Sequence, residues 1–471
     1  MKLNDLSLLT TEEKLELIIL QAEENNLQKE EIRNLKERIK KLESKEAKNS
    51  KNSHKPPSSD QNKPKKTSSL RKKSGKKRGG QPGHKGYNLA RIDAPDEIIT
   101  HRVENCLICG SDLSKALCTL DSRQVFDIPE PKMMVTEHRI EIKNCKTCSH
   151  TNKALYPFGV NQPTQYGART RGLMVYLNKE QLLPYRRTKL LFKAIYNHNI
   201  SAGTVVNAVN YIADRLSNIE AQIKELLKKA LVLHADETGT NVTSSKHWLH
   251  VACTDKLTHY GIHTKRGSVA MNDIGILPDF TGIMVHDHWS SYYLYENATH
   301  AMCNAHILRE LKFIHEHENF KWASKMTDLL YNMKKSKDAF LQSPNDSPPI
   351  EIENLEKKYS SIITAGRREQ AVRGTNNSKK LLKRLTEYRD NILLFLHDII
   401  VPFTNNLAER DIRMEKVRLK ISGGFRTLKG AKNNCTIKSI LSTGNKNNNN
   451  PLEILVLAFQ QQLNMDQLAD L

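Results

Sequence analysis

Two acidic residues stand where apolar runs end, and both are candidates for metal chemistry. The run ALVLHADETG reaches Asp236, and a second apolar run over residues 281–285 leads to Asp287. Burying a carboxylate beside a hydrophobic strand costs on the order of several kcal/mol unless the charge is neutralised, and a divalent cation is the strongest counter-charge available. Oxygen ligands suit Mg²⁺ or Mn²⁺ better than zinc. The pattern therefore predicts a site for a hard divalent cation.

A third acid, Glu409, lies in the stretch VPFTNNLAERDIRMEKVRLKISGGFRT, residues 401–427. Asn405 or Asn406 offers a side-chain oxygen to the free amides of a helix start, so a helix should begin there with Glu409 in its first turn. The density of cations in this stretch favours contact with a polyanion. They are Arg410, Arg413, Lys416, Arg418 and Lys420. An exposed i,i+4 pair of Glu409 with Arg413 is the alternative.

Four of the eight cysteines form two C-x-x-C pairs, which predict a structural zinc site. The pairs are Cys106 with Cys109 and Cys145 with Cys148. Each pair closes a tight knuckle, and two knuckles supply the four thiolates of a tetrahedral site. Two strand-like runs, residues 123–128 and 133–142, are predicted to fold back and bring the pairs together. A redox dithiol is the alternative, and it needs only one C-x-x-C.

The amino-acid composition narrows the classes of molecule to which this protein could bind. The 471 residues include 73 Lys and Arg against 52 Asp and Glu, a net charge of +21, which favours nucleic acid or an anionic membrane. No run of about 18 apolar residues occurs, and acids interrupt the apolar N-terminus, so neither a membrane span nor a signal peptide is indicated. We expect a cytoplasmic protein without membrane contact, associated with the nucleoid when bound to DNA.

The N-terminal segments predict self-association and DNA contact. In residues 1–48 a 3-4-3 repeat of Ile32, Leu35, Ile39 and Leu42 predicts a coiled coil and a homo-oligomer, with a solvated single helix as the alternative. Residues 49–95 read as a basic disordered linker. Its cations are candidates for phosphate or minor-groove contact, although a purely flexible linker is equally compatible. The candidates are Arg71, Lys72, Lys73, Lys76, Lys77 and Arg78.

The elements that must position the three acids follow from periodicity. Residues 161–228 read as helices, with Arg186 and Arg187 on a possible DNA-binding helix-turn-helix, although plain bundles look the same. From about residue 230 the pattern becomes an antiparallel meander, a helix and a strand that ends on Asp287. Together with a later helix carrying Glu409, this is the layout of a ribonuclease-H-like fold, a mixed sheet with helices.

The predicted architecture is therefore multidomain α/β. Its segments are a coiled coil (1–48), a basic linker (49–95), a four-cysteine zinc-binding module (96–160), a helical domain (161–228), the first part of the core (229–314), a helical insertion (315–398), the second part of the core (399–445) and a C-terminal helix (446–471).

In detail the sequence resembles the bacterial insertion-sequence transposases of family sixty-six, a DDE transposase group. The blocks HADETG, KHWLHVACT, HDHWSSY, HAMCNAHILREL, NNLAERDIR and KISGGFRT carry the resemblance. It implies that Asp236, Asp287 and Glu409 are the catalytic triad, using Mg²⁺ or Mn²⁺ for strand cleavage and strand transfer between transposon ends and target DNA. Small accessory transposition proteins are implied as partners. The asparagine run in STGNKNNNN departs from the family pattern and predicts a loosened region there.

Several alternatives remain at the level of sequence. Glu237 should point to the opposite strand face from Asp236 and be structural. A second metal site is suggested by Cys303, His306, His315 and His317, but their context reads better as a strand passing into an amphipathic helix. A catalytically inactive, sequence-specific DNA-binding regulator derived from a transposase is the alternative function, and a structure-selective nuclease without strand joining is a third. The presence of all three acids favours the transposase.

Overall fold

The computed structural model describes residues 10–47, 83, 89–343 and 350–469. The described chain forms two compact units. The first contains residues 10–47, 139–190, 200–343 and 350–469, and the second contains residues 83, 89–138 and 191–199. Residues 96–160, predicted as one zinc-binding module, are therefore divided between the units. No helix among the described residues is both long enough and apolar enough to cross a membrane.

The N-terminal helix α1 spans Thr11–Ala47, which confirms the predicted helix. The four residues of its 3-4-3 repeat, Ile32, Leu35, Ile39 and Leu42, are all at least half exposed in the single chain. Pairing of this helix with a second copy stays a prediction. The cations from Arg71 to Arg78 lie outside the described residues.

The two strands predicted between the cysteine pairs are wrong. Residues 123–128 form no strand, because the side chain of Gln124 rather than its backbone exchanges hydrogen bonds with the backbone of Ile92, at 2.9 and 2.6 Å. Of the second run only Ile142 is extended in a sheet, in β1 (Ile142–Asn144), which pairs antiparallel with β2 (Thr151–Lys153). The hairpin thus encloses one knuckle instead of joining the two.

A five-stranded mixed sheet forms the centre of the first unit. Its strands are β3 (Val232–Val242), β4 (Ser245–Cys253), β5 (Thr258–His263), β6 (Ile283–His286) and β7 (Thr299–Met302). The order across the sheet is β5-β4-β3-β6-β7. The first three strands are antiparallel, as the predicted meander requires, while β6 is parallel to both β3 and β7. The carboxyl ends of β3, β6 and β7 therefore point the same way.

Helices of the first unit pack on this sheet. Before the sheet the chain forms α2 (Ala168–Lys179), α3 (Tyr185–Tyr196), whose last residues belong to the second unit, and α4 (Ala202–Lys228); the short α5 (Ser268–Ile274) follows β5. The apolar stripe of α4 packs with Leu233 and Ala235 of β3 in one core. Ser201 begins α4 by accepting a hydrogen bond from the amide of Thr204, at 2.9 Å.

The region predicted as a helical insertion is helical and has its own core. It comprises α6 (Asn304–Glu318), α7 (Lys321–Gln342), α8 (Ile352–Arg373), α9 (Asn376–Glu387) and α10 (Arg389–His397). The buried side chains of Trp322, Tyr359 and Phe395 belong to that core, and Val285 of β6 joins it to the sheet.

The chain then forms α11 (Asn406–Ser422), α12 (Leu428–Lys446), α13 (Pro451–Phe459) and α14 (Met465–Leu468). Residues 446–471 thus hold two helices where one was predicted. The prediction of a loosened asparagine run is also wrong, because its amides are used as caps and braces. Asn450 accepts from the amide of Leu452 at 2.9 Å to begin α13, and Asn449 donates to the carbonyl of Leu468 at 2.9 Å.

Candidate active site

Asp236 and Asp287 lie at matching positions of two adjacent parallel strands. His234 of β3 pairs with Val285 of β6, and each aspartate follows two residues further along. Because side chains alternate between the faces of a strand, continuation of this register turns both carboxylates to the same side. Each also accepts a hydrogen bond from a nearby backbone amide, that of Glu237 for Asp236 at 2.8 Å and that of Trp289 for Asp287 at 2.9 Å.

The electrostatics at Asp236 favour a positive partner. Removal from water raises the pKa of this carboxyl well above its usual value, and the negative charges of Glu237 and Asp287 raise it further. The hydrogen bond from the Glu237 amide and the charge of Lys416 act in the opposite direction. Two carboxylates held close together and away from water repel each other, and a bound cation would relieve that repulsion.

Glu237 is buried and paired within the fold, which agrees with its predicted structural role. Its side chain is 1% exposed and accepts a hydrogen bond from Arg266 Nε at 2.8 Å and another from the hydroxyl of Tyr292. The guanidinium of Arg266 also lies over the rings of Trp289, at 4.1 Å, and Trp248, at 4.9 Å. The pair of Glu237 and Arg266 thus connects β3 next to Asp236 with the segment that follows Asp287.

The start of α11 was predicted correctly, but the predicted role of Asn405 was wrong. Its side chain does not cap the helix. The amide instead donates to the carbonyl of Ala235 at 2.7 Å, and Oδ1 pairs with His234 Nδ1 at 2.8 Å. The backbone amide of Asn405 donates to Cys303 Sγ at 3.2 Å. The pairing of β3 with β6 ends at His234, and the side-chain amide of Asn405 satisfies the buried carbonyl of the next residue, Ala235.

The end of α11 is fixed to the same strand. The amide of Phe425 donates to the carbonyl of Asn241 at 2.8 Å, and the amide of Thr243 donates back to the carbonyl of Phe425 at 2.8 Å. Gly424, with φ of 144°, makes this approach possible, since a Cβ there would stand 2.7 Å from the carbonyl oxygen of Asn241. The helix therefore lies along β3, attached at both ends.

Glu409 lies one turn into α11 and meets residues that follow β7. Ligand atoms of Cys303, His306 and Glu409 all lie within 4.8 Å of one another, and neither aspartate belongs to that group. Arg309 Nη2 is 3.6 Å from Glu409 Oε2. Glu409 Oε1 is buried and accepts no hydrogen bond from the part of the chain that the structure describes. The predicted strand-to-helix context of Cys303 and His306 is right, whereas their convergence with Glu409 was missed.

The sheet register relates this group to the aspartates. His286 of β6 pairs with Met302 of β7, so Cys303 is the neighbour of Asp287 in the next strand position. The amide of Cys303 donates to the carbonyl of His286 at 2.9 Å. Asn405 contacts both Ala235, before Asp236, and Cys303, beside Asp287. The start of α11 thus connects the middle of β3 with the carboxyl end of β7, on either side of β6.

The predicted DNA-binding cations differ in their surroundings. Arg410 and Arg413 are exposed on α11, and Arg186 and Arg187 are exposed on α3. Lys416 is partly buried, and its positive charge lowers the pKa of Asp236. Arg418, another of the α11 cations, is buried in an ion pair with Glu415, its Nε 2.8 Å from the carboxylate. It therefore presents no charge to an approaching DNA.

The two cysteine pairs lie in different units, and each forms a knuckle of its own. The backbone amide of Gly110 donates a hydrogen bond to the carbonyl of Cys106 at 2.9 Å, and the backbone amide of Ser149 donates one to the carbonyl of Cys145 at 2.9 Å. A hydrogen bond from the Ser111 hydroxyl lowers the pKa of Cys109 to about 7. Hydrogen bonds from the amides of Cys148 and Thr147 lower that of Cys145 to about 7. Both knuckles favour the thiolate, the form that binds zinc.

Comparison with known proteins adds three matches to this geometry. The model of a family described as "Transposase IS66 family" matches residues 163–433, which include all three acids of the candidate site. One described as "zinc-finger binding domain of transposase IS66" matches residues 104–149 and includes both cysteine pairs, so it supports zinc as a cofactor. A family of unknown function matches residues 11–90. A comparison with curated proteins found no match.

Proposed function

The chain belongs to the transposase IS66 family, and from that premise we propose that it cleaves and joins DNA strands with Asp236, Asp287 and Glu409 as its catalytic carboxylates. The substrates are double-stranded transposon ends and target DNA. In this proposal the protein is a metal-dependent DDE transposase, and the match to a zinc-finger domain supplies a DNA-binding module.

The position of Asn405 carries the proposal. Asp236 within β3 and Asp287 directly after β6 lie in register on adjacent parallel strands, and a helix with a third acid in its first turn begins at a residue bonded to Ala235 and Cys303. These contacts bring the first turn of the helix, with Glu409, towards the ends of β6 and β7 and the middle of β3. A surface ion pair would need no such attachment, because exposed pairs contribute about 0–1 kcal/mol and tolerate loose geometry.

The sheet supports a ribonuclease-H-like core. A three-stranded antiparallel meander continues into two strands parallel to its first member, in the order β5-β4-β3-β6-β7. In parallel strand systems, ligands gather outside the carboxyl ends of the strands. Asp287 occupies this position directly after β6, and Asp236 lies beside it within the longer strand β3.

The donor set fits Mg²⁺ or Mn²⁺, since all three acids offer hard oxygen ligands. The raised pKa of Asp236 and the unsatisfied Oε1 of Glu409 both mark places where a cation would be stabilising. When bound, such ions activate an attacking hydroxyl and stabilise the leaving oxygen of an in-line displacement at phosphorus.

The surrounding residues would hold this arrangement and the substrate. Arg266 keeps the Glu237 charge compensated and, by stacking on Trp289, restrains the segment whose amide binds Asp287. Arg410 and Arg413 face solvent on the same helix as Glu409, so they can contact DNA phosphates close to the reaction. Homo-oligomer formation through α1 and binding of accessory transposition proteins belong to the proposal as expected partnerships.

The test compares wild-type protein with Asp236→Asn, Asp287→Asn and Glu409→Gln on labelled DNA that carries the element ends, with Mg²⁺ present. Each variant should lose both nicked and joined products by roughly a hundredfold or more, while DNA binding persists. Glu316→Gln, an exposed change on α6 outside the site, is the control and should leave both products unchanged.

Two results would change the assignment. If Glu409→Gln cuts element ends at a near-normal rate, the third acid lies elsewhere. If wild-type protein nicks the DNA but never produces joined strands, the protein is a nuclease and not a transposase. Resolving the two products on one denaturing gel distinguishes these cases.

A further inference from the structure

Three side chains of different chemistry converge where β7 passes into α6 and where α11 begins. Cys303 immediately precedes α6, His306 lies in its first turn, and Glu409 comes from α11. A sulfur, an imidazole nitrogen and a carboxylate oxygen therefore lie within 4.8 Å of one another, close enough for small side-chain rotations to bring all three onto one cation. Two helices and a strand end hold these groups in place.

The surroundings of the cluster leave a carboxylate oxygen without a partner. Glu409 Oε1 is buried and receives no hydrogen bond from any residue in the described ranges. Arg309 approaches only the other oxygen, at 3.6 Å, which is too long for a good hydrogen bond. A buried polar atom without a partner destabilises a fold by about 1–3 kcal/mol unless an ion or a water satisfies it.

Cys303 is suited to bind a cation as a thiolate. Its side chain is fully buried, and Sγ accepts a hydrogen bond from the backbone amide of Asn405 at 3.2 Å. A cysteine binds a divalent cation as the thiolate, because coordination deprotonates a thiol outright.

We propose that Cys303, His306 and Glu409 form a second site for a thiophilic divalent cation of the Zn²⁺ class, separate from the C-x-x-C pairs. Thiolate and imidazole ligands select Zn²⁺ over Mg²⁺. Three protein ligands leave a fourth position open, which is the arrangement of zinc sites that exchange water or substrate. Binding of the cation does not depend on the catalytic role proposed for Glu409, since neither DNA nor Mg²⁺ takes part.

The site has one consequence for the proposed reaction. Glu409 cannot serve Mg²⁺ through an oxygen that Zn²⁺ already holds, so occupation of this cluster withdraws the third acid from catalysis. Zn²⁺ in excess of the zinc-finger requirement should therefore inhibit strand cleavage, and added Mg²⁺ should restore little activity.

The test adds Co²⁺ to the full chain whose C-x-x-C pairs are already filled with zinc. Zn²⁺ binds such thiolate sites more tightly than Co²⁺, so added cobalt reports the second site. We expect one further equivalent to bind, with a sulfur-to-cobalt absorption band and visible bands of a four-coordinate ion. The band should disappear in Cys303→Ser, and cobalt affinity should fall about a hundredfold in His306→Gln and Glu409→Gln.

Matched controls use residues that resemble the ligands but lie outside the cluster. Cys435→Ser changes another buried cysteine, and His315→Gln changes another histidine of α6. Both should keep the band. Far-UV circular dichroism and the melting temperature establish that each variant is folded, and if Cys303→Ser does not fold, His306→Gln decides. No saturable cobalt binding in wild type, or an unchanged band in the folded ligand variants, overturns the proposal.

Discussion

Asp236 and Glu237 are adjacent in the sequence, yet their environments separate their roles. Glu237 accepts hydrogen bonds from Arg266 and Tyr292, so the guanidinium of Arg266 compensates its negative charge. Asp236 faces Asp287, and loss of hydration together with the negative charges of Glu237 and Asp287 raises its pKa. The strand alternation that divides the two acids was predictable from the sequence. The partners of Glu237 were not, because Arg266 and Tyr292 follow in separate segments.

Loss of Arg266 should leave a buried charge without its cation. We predict that Arg266→Met lowers the free energy of unfolding by about 2 kcal/mol, less than the roughly 3–5 kcal/mol found for fully buried pairs, because the arginine side chain is 38% exposed. Urea denaturation measures this difference. Lys265→Met, an exposed neighbouring change, should stay within about 0.5 kcal/mol of wild type.

Burial of Lys179 makes the free energy of unfolding depend on pH over a defined range. Burial and the nearby Arg418 lower its pKa from 10.5 to about 8. Below pH 8 the lysine is charged in both states, and the folded state bears the full penalty of burying that charge. As pH rises from about 8 to about 10.5, the folded form binds fewer protons than the unfolded form, so stability recovers.

Lys179→Met should therefore unfold at a higher denaturant concentration than wild type at pH 7. The expected gain is roughly 3–3.5 kcal/mol, at about 1.4 kcal/mol for each pH unit between the two pKa values, and it should nearly vanish by pH 10.5. Lys189→Met, an exposed change on α3, should show no such pH-dependent gain. A gain that is constant from pH 7 to pH 10.5 would mean that packing, not charge, is responsible.

At the scale of elements, α11 is positioned by contacts with β3 that connect distant parts of the chain. Asn405 bonds to Ala235 and His234, 170 and 171 residues earlier. A sequence pattern identifies the helix start and its first-turn acid, since capping residues and periodicity are local. It does not identify which strand the asparagine contacts, because that choice depends on the tertiary arrangement.

Asn405→Ala should affect both stability and cleavage. Removal of this side chain leaves the carbonyl of Ala235 and the ring of His234 buried without this partner, at about 1–3 kcal/mol. Displacement of the first turn of α11 should also slow DNA cleavage more than tenfold. Asn406→Ala changes an exposed asparagine one position later and should alter neither quantity greatly. If folded Asn405→Ala cleaves DNA at the normal rate, the contacts of Asn405 with β3 do not position the catalytic residues.

The elements also show where sequence reasoning fails. The meander, the strand-to-helix passage at Cys303 and the helical insertion were predictable, because each has a strong period over several residues. Residues 123–128 alternate like a strand, but Gln124 satisfies the backbone of Ile92 with its side chain. The asparagine run has poor helix propensity, yet its amides cap and brace the final helices. Tertiary hydrogen bonds override local propensity in both cases.

At the scale of the whole molecule, the charge of +21 predicts a strong dependence of DNA binding on salt. Arg410 and Arg413 are exposed on the helix that carries Glu409. If each neutralises one phosphate, the double variant Arg410→Ala with Arg413→Ala should reduce the slope of log affinity against log salt by about 2. Fluorescence anisotropy at several salt concentrations measures the slope.

The control for this prediction is Lys383→Ala, which removes one exposed cation of α9 that pairs with Glu387. Its slope should match that of wild type. An unchanged slope in the double arginine variant would mean that DNA does not approach α11, and the proposed location of the reacting phosphate would then be wrong.

Attachment of α11 to β3 has a consequence for synthesis of the protein. A growing polypeptide acquires both aspartates long before Asn405 emerges from the ribosome, with the entire helical insertion translated in between. Contacts that close across 170 residues form late, because the intervening segment must first become compact. A nascent or prematurely terminated product therefore carries only two of the three acids, and under the proposed assignment it should cleave no DNA until Asn405 and Glu409 have been translated.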